Sequence, residues 1–208
     1  MWLIAFTKEV CDMPKKLILA SASPRRRDIL DTTGYVYEVI PSDADEIASG
    51  ASPDEIVIQN ALAKAIDVGA RYTEEAVIVG ADTVVCLGDR VLGKPKDRDD
   101  AFAMLRSLSG SVHTVKTGYA VVCGEHKKCG VCTTEVKFIS LSDEEINAYI
   151  DTNEPNDKAG SYAVQEKASV FVERFNGDYF NIIGLPIAEL YPILKDFGIF
   201  PDWQKLYW

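Results

Sequence analysis

Apolar residues along this chain follow two spacings that alternate. Leu17-Ile18-Leu19-Ala20 and Ala76-Val77-Ile78-Val79-Gly80 are short unbroken apolar runs, as expected of strands buried on both faces. Tyr35 to Ile40 predicts another strand, and Thr83 to Leu87 continues the 76–80 run to a Gly88-Asp89 turn and a return strand. Asp82 therefore interrupts a core strand. Val112 to Val122 and Val131 to Ser140 alternate apolar with polar positions and predict an antiparallel pair about a turn at Gly124-Glu125-His126-Lys127-Lys128.

Helical segments lie between these runs. Ser23 is a suitable N-cap, and Pro24 suits the first helical position, where its missing N–H costs nothing. Ser52-Pro53-Asp54-Glu55 and Ser142-Asp143-Glu144-Glu145 are capping boxes, starting helices that run to Ala70 and Ile150. In the first helix Ile56, Ala63 and Ile66 are expected on the core stripe, with Gln59 and Lys64 on its flanks. Asp97 and Asp100 open a third helix reaching Leu108, and Pro186 starts a closing helix that Pro192 should kink. The stretch 153–162 reads as a loop, and Val170–Phe175 with Tyr179–Ile183 as a hairpin across Asn176-Gly177, a favoured type I′ turn. Without repeats or linkers, the expectation is one continuous α/β domain.

Composition narrows the class. The 208 residues, 47% apolar and 26% charged, suit a globular protein. A net charge of −10 argues against polynucleotide or membrane-surface partners, which draw affinity from excess Lys and Arg, but leaves small phosphorylated ligands open. No apolar stretch approaches the ~20 residues of a membrane span. The opening Met1–Phe6 lacks the basic segment of a signal peptide. A cytoplasmic protein with five reduced cysteines is expected. Cys123, His126, Cys129 and Cys132 offer zinc-ligand types at regular spacing, but one hairpin tip would have to supply them all.

The chemistry suggested by the chain starts at Ser21-Ala22-Ser23-Pro24-Arg25-Arg26-Arg27-Asp28, where a strand feeds a helix start. Free backbone N–H groups and the positive end of the helix dipole favour an anion there, and arginine forks suit phosphate oxygens. Lys64 and Lys94, the latter in the loop Gly93-Lys94-Pro95, add point charges. Glu46 and Asp82 supply carboxylates, and an aspartate after so apolar a run needs a cation or donors. The set fits a polyphosphate held with a divalent ion, magnesium or manganese, at oxygen ligands.

These segments, in order, resemble the Maf family of nucleotide pyrophosphatases over residues 15–198. Further matching stretches are Asp45-Glu46, Ala61-Leu62-Ala63-Lys64-Ala65, Gly80-Ala81-Asp82-Thr83-Val84, Ser109-Gly110 with His113, Asp157-Lys158-Ala159-Gly160-Ser161-Tyr162 with Gln165, and Gly184-Leu185-Pro186. The resemblance implies an elongated mixed sheet flanked by helices, an ITPase-like (Maf-like) fold with a central cleft between two lobes. Residues 1–14 would then be an extension and 199–208 an aromatic tail, which leaves room for a homodimer. It implies Asp82 as catalytic base and Glu46 with Asp82 at the metal. Ser21, Ser23, Arg25, Arg26, Lys64, Lys94 and Lys158 would bind substrate, and Arg25, Thr83 and Gln165 would select the base. Thr83 and the 157–160 loop with Gln165 resemble the branch hydrolysing dTTP and UTP. The alternatives are 7-methyl-GTP or a noncanonical purine nucleotide as substrate, or a nucleotide-binding cell-division regulator with little turnover. Around Gln165 this chain departs from the family's glycines, reading Ala163-Val164-Gln165-Glu166-Lys167.

Overall fold

A computed structural model describes residues 15–72 and 75–203, so the extension over 1–14 and the end of the aromatic tail lie outside the described residues. The strands are β1 (Lys16–Leu19), β2 (Glu38–Val39), β3 (Ala76–Leu87), β4 (Arg90–Leu92), β5 (Val112–Cys123), β6 (His126–Phe138) and β7 (Val172–Asn176). The helices are α1 (Pro24–Thr32), α2 (Pro53–Gly69), α3 (Arg98–Leu108), α4 (Asp143–Ile150), α5 (Tyr179–Ile183) and α6 (Ile187–Asp196). They flank one mixed sheet in the order β2-β1-β3-β5-β6-β7, with β4 also paired to β3.

The path of β3 creates the cleft. Its edge toward β5 is paired throughout from Ile78 to Cys86. Its other edge carries parallel β1 as far as Val79 and antiparallel β4 from Val85. Residues 80–84 therefore have no strand beside them on that edge, and a gap opens between the two neighbours. Ligand crevices form where adjacent strands diverge in this way. On one side of the gap α1 and α6 cover one face of β1 and β3, through Leu17, Leu19, Leu30, Val79 and Leu190. There α2 covers the opposite face, through Ile18, Ala61, Ala65 and Ile78. On the other side Val85, Leu92, Val115 and Phe138 pack with α3, α4 and the stretch 162–171. These are the two lobes.

Both capping boxes form with reciprocal bonds, at Ser52–Glu55 and Ser142–Glu145. Ser23 occupies the N-cap position of α1, but its side chain makes no capping bond. Several expectations need correction. Only Glu38 and Val39 of the 35–40 run form a strand, while Tyr35 turns into the core. The buried face of α2 is Ile56, Val57, Asn60, Ala61, Ala65 and Val68, whereas Ile66 is 39% exposed and Ala63 half-buried. Two glycines on the sheet decide that rotation. A Cβ on Gly80 would lie 2.2 Å from the Ala61 carbonyl oxygen, and one on Gly118 would lie 2.2 Å from that of Val57, so α2 packs backbone against backbone. The predicted 176–177 hairpin is absent, because Asp178 caps Phe180 N–H and residues 179–183 form α5. The 153–162 loop contains 3₁₀ turns at Glu154–Asp157 and Ala159–Ser161. Pro192 is accommodated within α6 on its exposed side.

Candidate active site

The gap beside β3 is the floor of a cleft of about 900 Å³. All eleven residues singled out from the sequence line it. Ser21 and Ser23 come from the β1–α1 turn, Arg25 and Arg26 from the first turn of α1, and Lys64 from α2. Asp82 and Thr83 come from β3 itself. Glu46, Lys94, Lys158 and Gln165 come from connecting segments.

On the α2 wall two carboxylates converge on one ammonium. Lys64 Nζ lies 2.6 Å from Glu46 Oε1 and 2.8 Å from Asp82 Oδ1, and its side chain is only 13% exposed. The other Asp82 oxygen accepts from Asn60 Nδ2 at 2.9 Å. Both Asp82 oxygens thus have a donor, which offsets the cost of placing the charge at the rim of an apolar strand.

Beneath this, Arg26 is held by three acceptors. Its Nε donates to Gly184 O at 2.8 Å, and its terminal nitrogens donate to Ser21 Oγ at 2.9 Å and Thr83 Oγ1 at 3.2 Å. Burial lowers the guanidinium pKa, while the charges of Asp82 and Glu46 oppose that shift. Thr117 Oγ1 donates its single proton to Asn181 O at 2.9 Å. The 2.9 Å Thr83–Thr117 contact must then be donated by Thr83. The Thr83 hydroxyl is consequently committed, accepting from Arg26 and donating to Thr117.

The opposite wall is built from 3₁₀ turns. Lys158, buried, lies 2.5 Å from Asp157 Oδ1 and 3.8 Å from Glu166 Oε1. The hydrogen bond from Lys158 lowers the Asp157 pKa. Gln165 is exposed within the cleft. Two side chains, Tyr162 and Glu154, fasten this wall. Tyr162 OH meets His113 Nε2 of β5 at 2.8 Å. Buried Glu154 accepts from Tyr149 OH at 2.9 Å and from the N–H groups of Lys167 and Ala168. Among the described residues neither Arg25 nor Lys94 forms an ion pair, so two cations remain uncommitted in the cleft.

Sequence reasoning missed Asn60, Thr117 and Asn181, all buried polar residues. For Asn60 a signal existed, because it lies four residues before Lys64 and interrupts the apolar face of α2. In the β5–β6 hairpin, Cys129 and His126 are exposed while Cys123 and Cys132 are buried. No group of three or more His, Cys, Asp or Glu among the described residues is placed to hold a metal. No described helix is long and apolar enough to cross a membrane.

A family model described as Maf-like protein matches residues 16–197. A dTTP/UTP pyrophosphatase of Alkaliphilus oremlandii is 50% identical over 185 residues, covering 88% of this chain and 96% of the relative. Proteins of the same description from Thermoanaerobacter pseudethanolicus and Thermococcus kodakarensis are 48% and 47% identical, covering 86% and 88% of this chain and 95% and 96% of their own lengths. The solved Staphylococcus aureus Ham1 protein aligns with 88% of this chain and 99% of its own at a TM-score of 0.49 and 14% identity, a partial likeness of shape.

Proposed function

The chain belongs to the Maf family, and on that premise we propose that it is a cytoplasmic pyrophosphatase cleaving dTTP and UTP to the nucleoside monophosphate and pyrophosphate. The observation that carries this reading is the convergence of five cationic side chains and the Glu46–Asp82 pair on one cleft. Catalysis at phosphorus is largely positioning and charge neutralisation, which such a set supplies. Arg26 spends three N–H donors on the protein and keeps two for phosphate oxygens. Among the described residues Arg25 and Lys94 carry no competing ion pair, and Lys158 can exchange its exposed carboxylate partners for substrate oxygens.

Asp82 is the proposed base. Lys64 and Asn60 each occupy one acceptor site, and a carboxylate has about four, so sites remain for a water. That water attacks the α-phosphorus, the bond from α-phosphorus to the bridging oxygen breaks, pyrophosphate leaves with the electron pair, and Asp82 takes the proton. Glu46 and Asp82 also fit a divalent cation, since both are hard oxygen donors drawn to one positive point. With two carboxylates from the protein, phosphate oxygens and water would complete the shell, the usual manner of magnesium. When bound, magnesium or manganese neutralises charge on the phosphates. Gln165 supplies a side-chain amide whose donor and acceptor match the paired N–H and carbonyl of thymine or uracil.

The test is pyrophosphate release with magnesium across dTTP, UTP, 7-methyl-GTP and noncanonical purine triphosphates. Turnover of dTTP and UTP is expected, with a loss of about 10²- to 10⁴-fold in Asp82→Asn, the range for removal of a positioned base. Full activity of that variant overturns the role of Asp82. Tight nucleotide binding without pyrophosphate release would point to a regulator instead.

A further inference from the structure

We propose that Asn60 is a positioning residue that joins Asp82 and the segment carrying Glu46 into one unit; the inference rests on the pyrophosphatase reading above. Asn60 is 4% exposed in the middle of α2. Its Oδ1 accepts from Ile47 N–H at 2.9 Å, and its Nδ2 donates to Ile47 O at 2.9 Å and to Asp82 Oδ2 at 2.9 Å. The Ile47 N–H requires an acceptor, so the orientation of the amide follows from its partners. Both amide protons are used.

This bonding pattern requires asparagine. A side-chain amide alone combines an acceptor and two donors at this length, so it can grip a backbone N–H and C=O together and still reach a carboxylate. Aspartate keeps only the acceptor, and an apolar residue keeps nothing.

The segment that Asn60 grips has no helix or strand of its own from residue 41 to residue 51. Ser42 Oγ and Asp43 N–H hold its start against Asp67 Oδ2 at 2.8 and 3.1 Å. The next ties are the Asn60 clamp on Ile47 and the Glu46–Lys64 ion pair, whose Glu46 side chain is 58% exposed. An ion pair so open to water fixes a chain weakly. The buried clamp one residue along is what sets where Glu46 stands relative to Asp82.

The experiment uses the full chain carrying Asn60→Ala and, separately, Asn60→Asp, which preserves the packing volume if the smaller residue prevents folding. kcat and KM for dTTP are measured beside hydrogen–deuterium exchange at the Ile47 amide. In Asn60→Ala, kcat should fall about 10- to 100-fold, the effect of displacing a reacting group by roughly 1 Å, while KM moves less. Ile47 exchange should accelerate. Asn60→Asp should lose at least as much kcat, because it places a second carboxylate against Asp82, yet retain more Ile47 protection than Asn60→Ala. Lowered Tm with kcat per folded molecule unchanged would overturn the proposal, as would Ile47 exchange that matches the parent chain. Asp82→Asn measured in parallel separates the two readings. Full activity there condemns the assigned base, whereas Ile47 exchange still reports on the clamp.

Discussion

Lys64 and Lys158 both line the cleft, each against two carboxylates, but their walls are built differently. Lys64 belongs to a 17-residue helix, and Asp82 to a 12-residue strand against which that helix packs backbone to backbone. Asn60 adds a buried third point. Lys158 and both its partners, Asp157 and Glu166, lie within one stretch of 3₁₀ turns, with the carboxylate side chains 70% and 41% exposed. The same charge pairing therefore serves two ends. On the α2 wall it joins a helix and a strand into a frame around the proposed base, and on the other wall it leaves a lysine whose partners water already solvates.

The largest expected effect tests the frame. Gly80→Ala puts a Cβ 2.2 Å from Ala61 O and 2.9 Å from Ala65 N, both helix backbone, so α2 must move off the sheet with Asn60 and Lys64. A loss of about 3 kcal/mol in urea denaturation is expected, at the upper end for overpacking, with kcat falling as well. Next is the fastening of the opposite wall. Glu154→Ala strands Tyr149 OH and two backbone N–H groups, costing about 2 kcal/mol by the same assay. Here KM for dTTP should rise more than kcat falls, because Lys158 and Gln165 loosen while Asp82 stays framed.

His113 gives that wall a pH dependence. Burial lowers its pKa from 6.5 to about 4, so the unfolded chain binds the proton first as pH falls. Its contribution is complete above about pH 6.5 and is lost toward pH 4, at up to about 1.4 kcal/mol per pH unit. Urea melts at pH 7 and pH 5 should show a shallower dependence in His113→Gln than in the parent chain. The smallest effect is at Glu166, 3.8 Å from Lys158 and half-exposed. Glu166→Gln should lower KM for dTTP by about twofold, the scale of an exposed ion pair, with less effect at high salt.

Residues with one strong local reason to be where they are were legible from the chain. The capping boxes formed because Ser and Glu three apart satisfy each other's backbone N–H groups within a single turn. Asp82 stood out because a carboxylate is rare in an apolar strand. Ile66 misled, since its spacing suits a core stripe, but Gly80 and Gly118 draw the 57–61–65 row of α2 onto the sheet instead. Residues 179–183 are apolar and aromatic enough for a strand, and the Asp178 cap together with burial of Asn181 made them a helix.

By itself the amino-acid order determined the strand and helix segments with local signals, the acidic charge balance, and which side chains could bind an anion or a cation, because those depend on neighbours within a few positions. Tertiary structure alone decided that β1 and β4 share one edge of β3 and leave residues 80–84 bare between them. It also decided that Asn60 spans from Ile47 to Asp82, and that Thr117 commits the Thr83 proton. Pairing register and long-range hydrogen bonds join residues tens of positions apart, and only the packed sheet brings those partners within bonding distance.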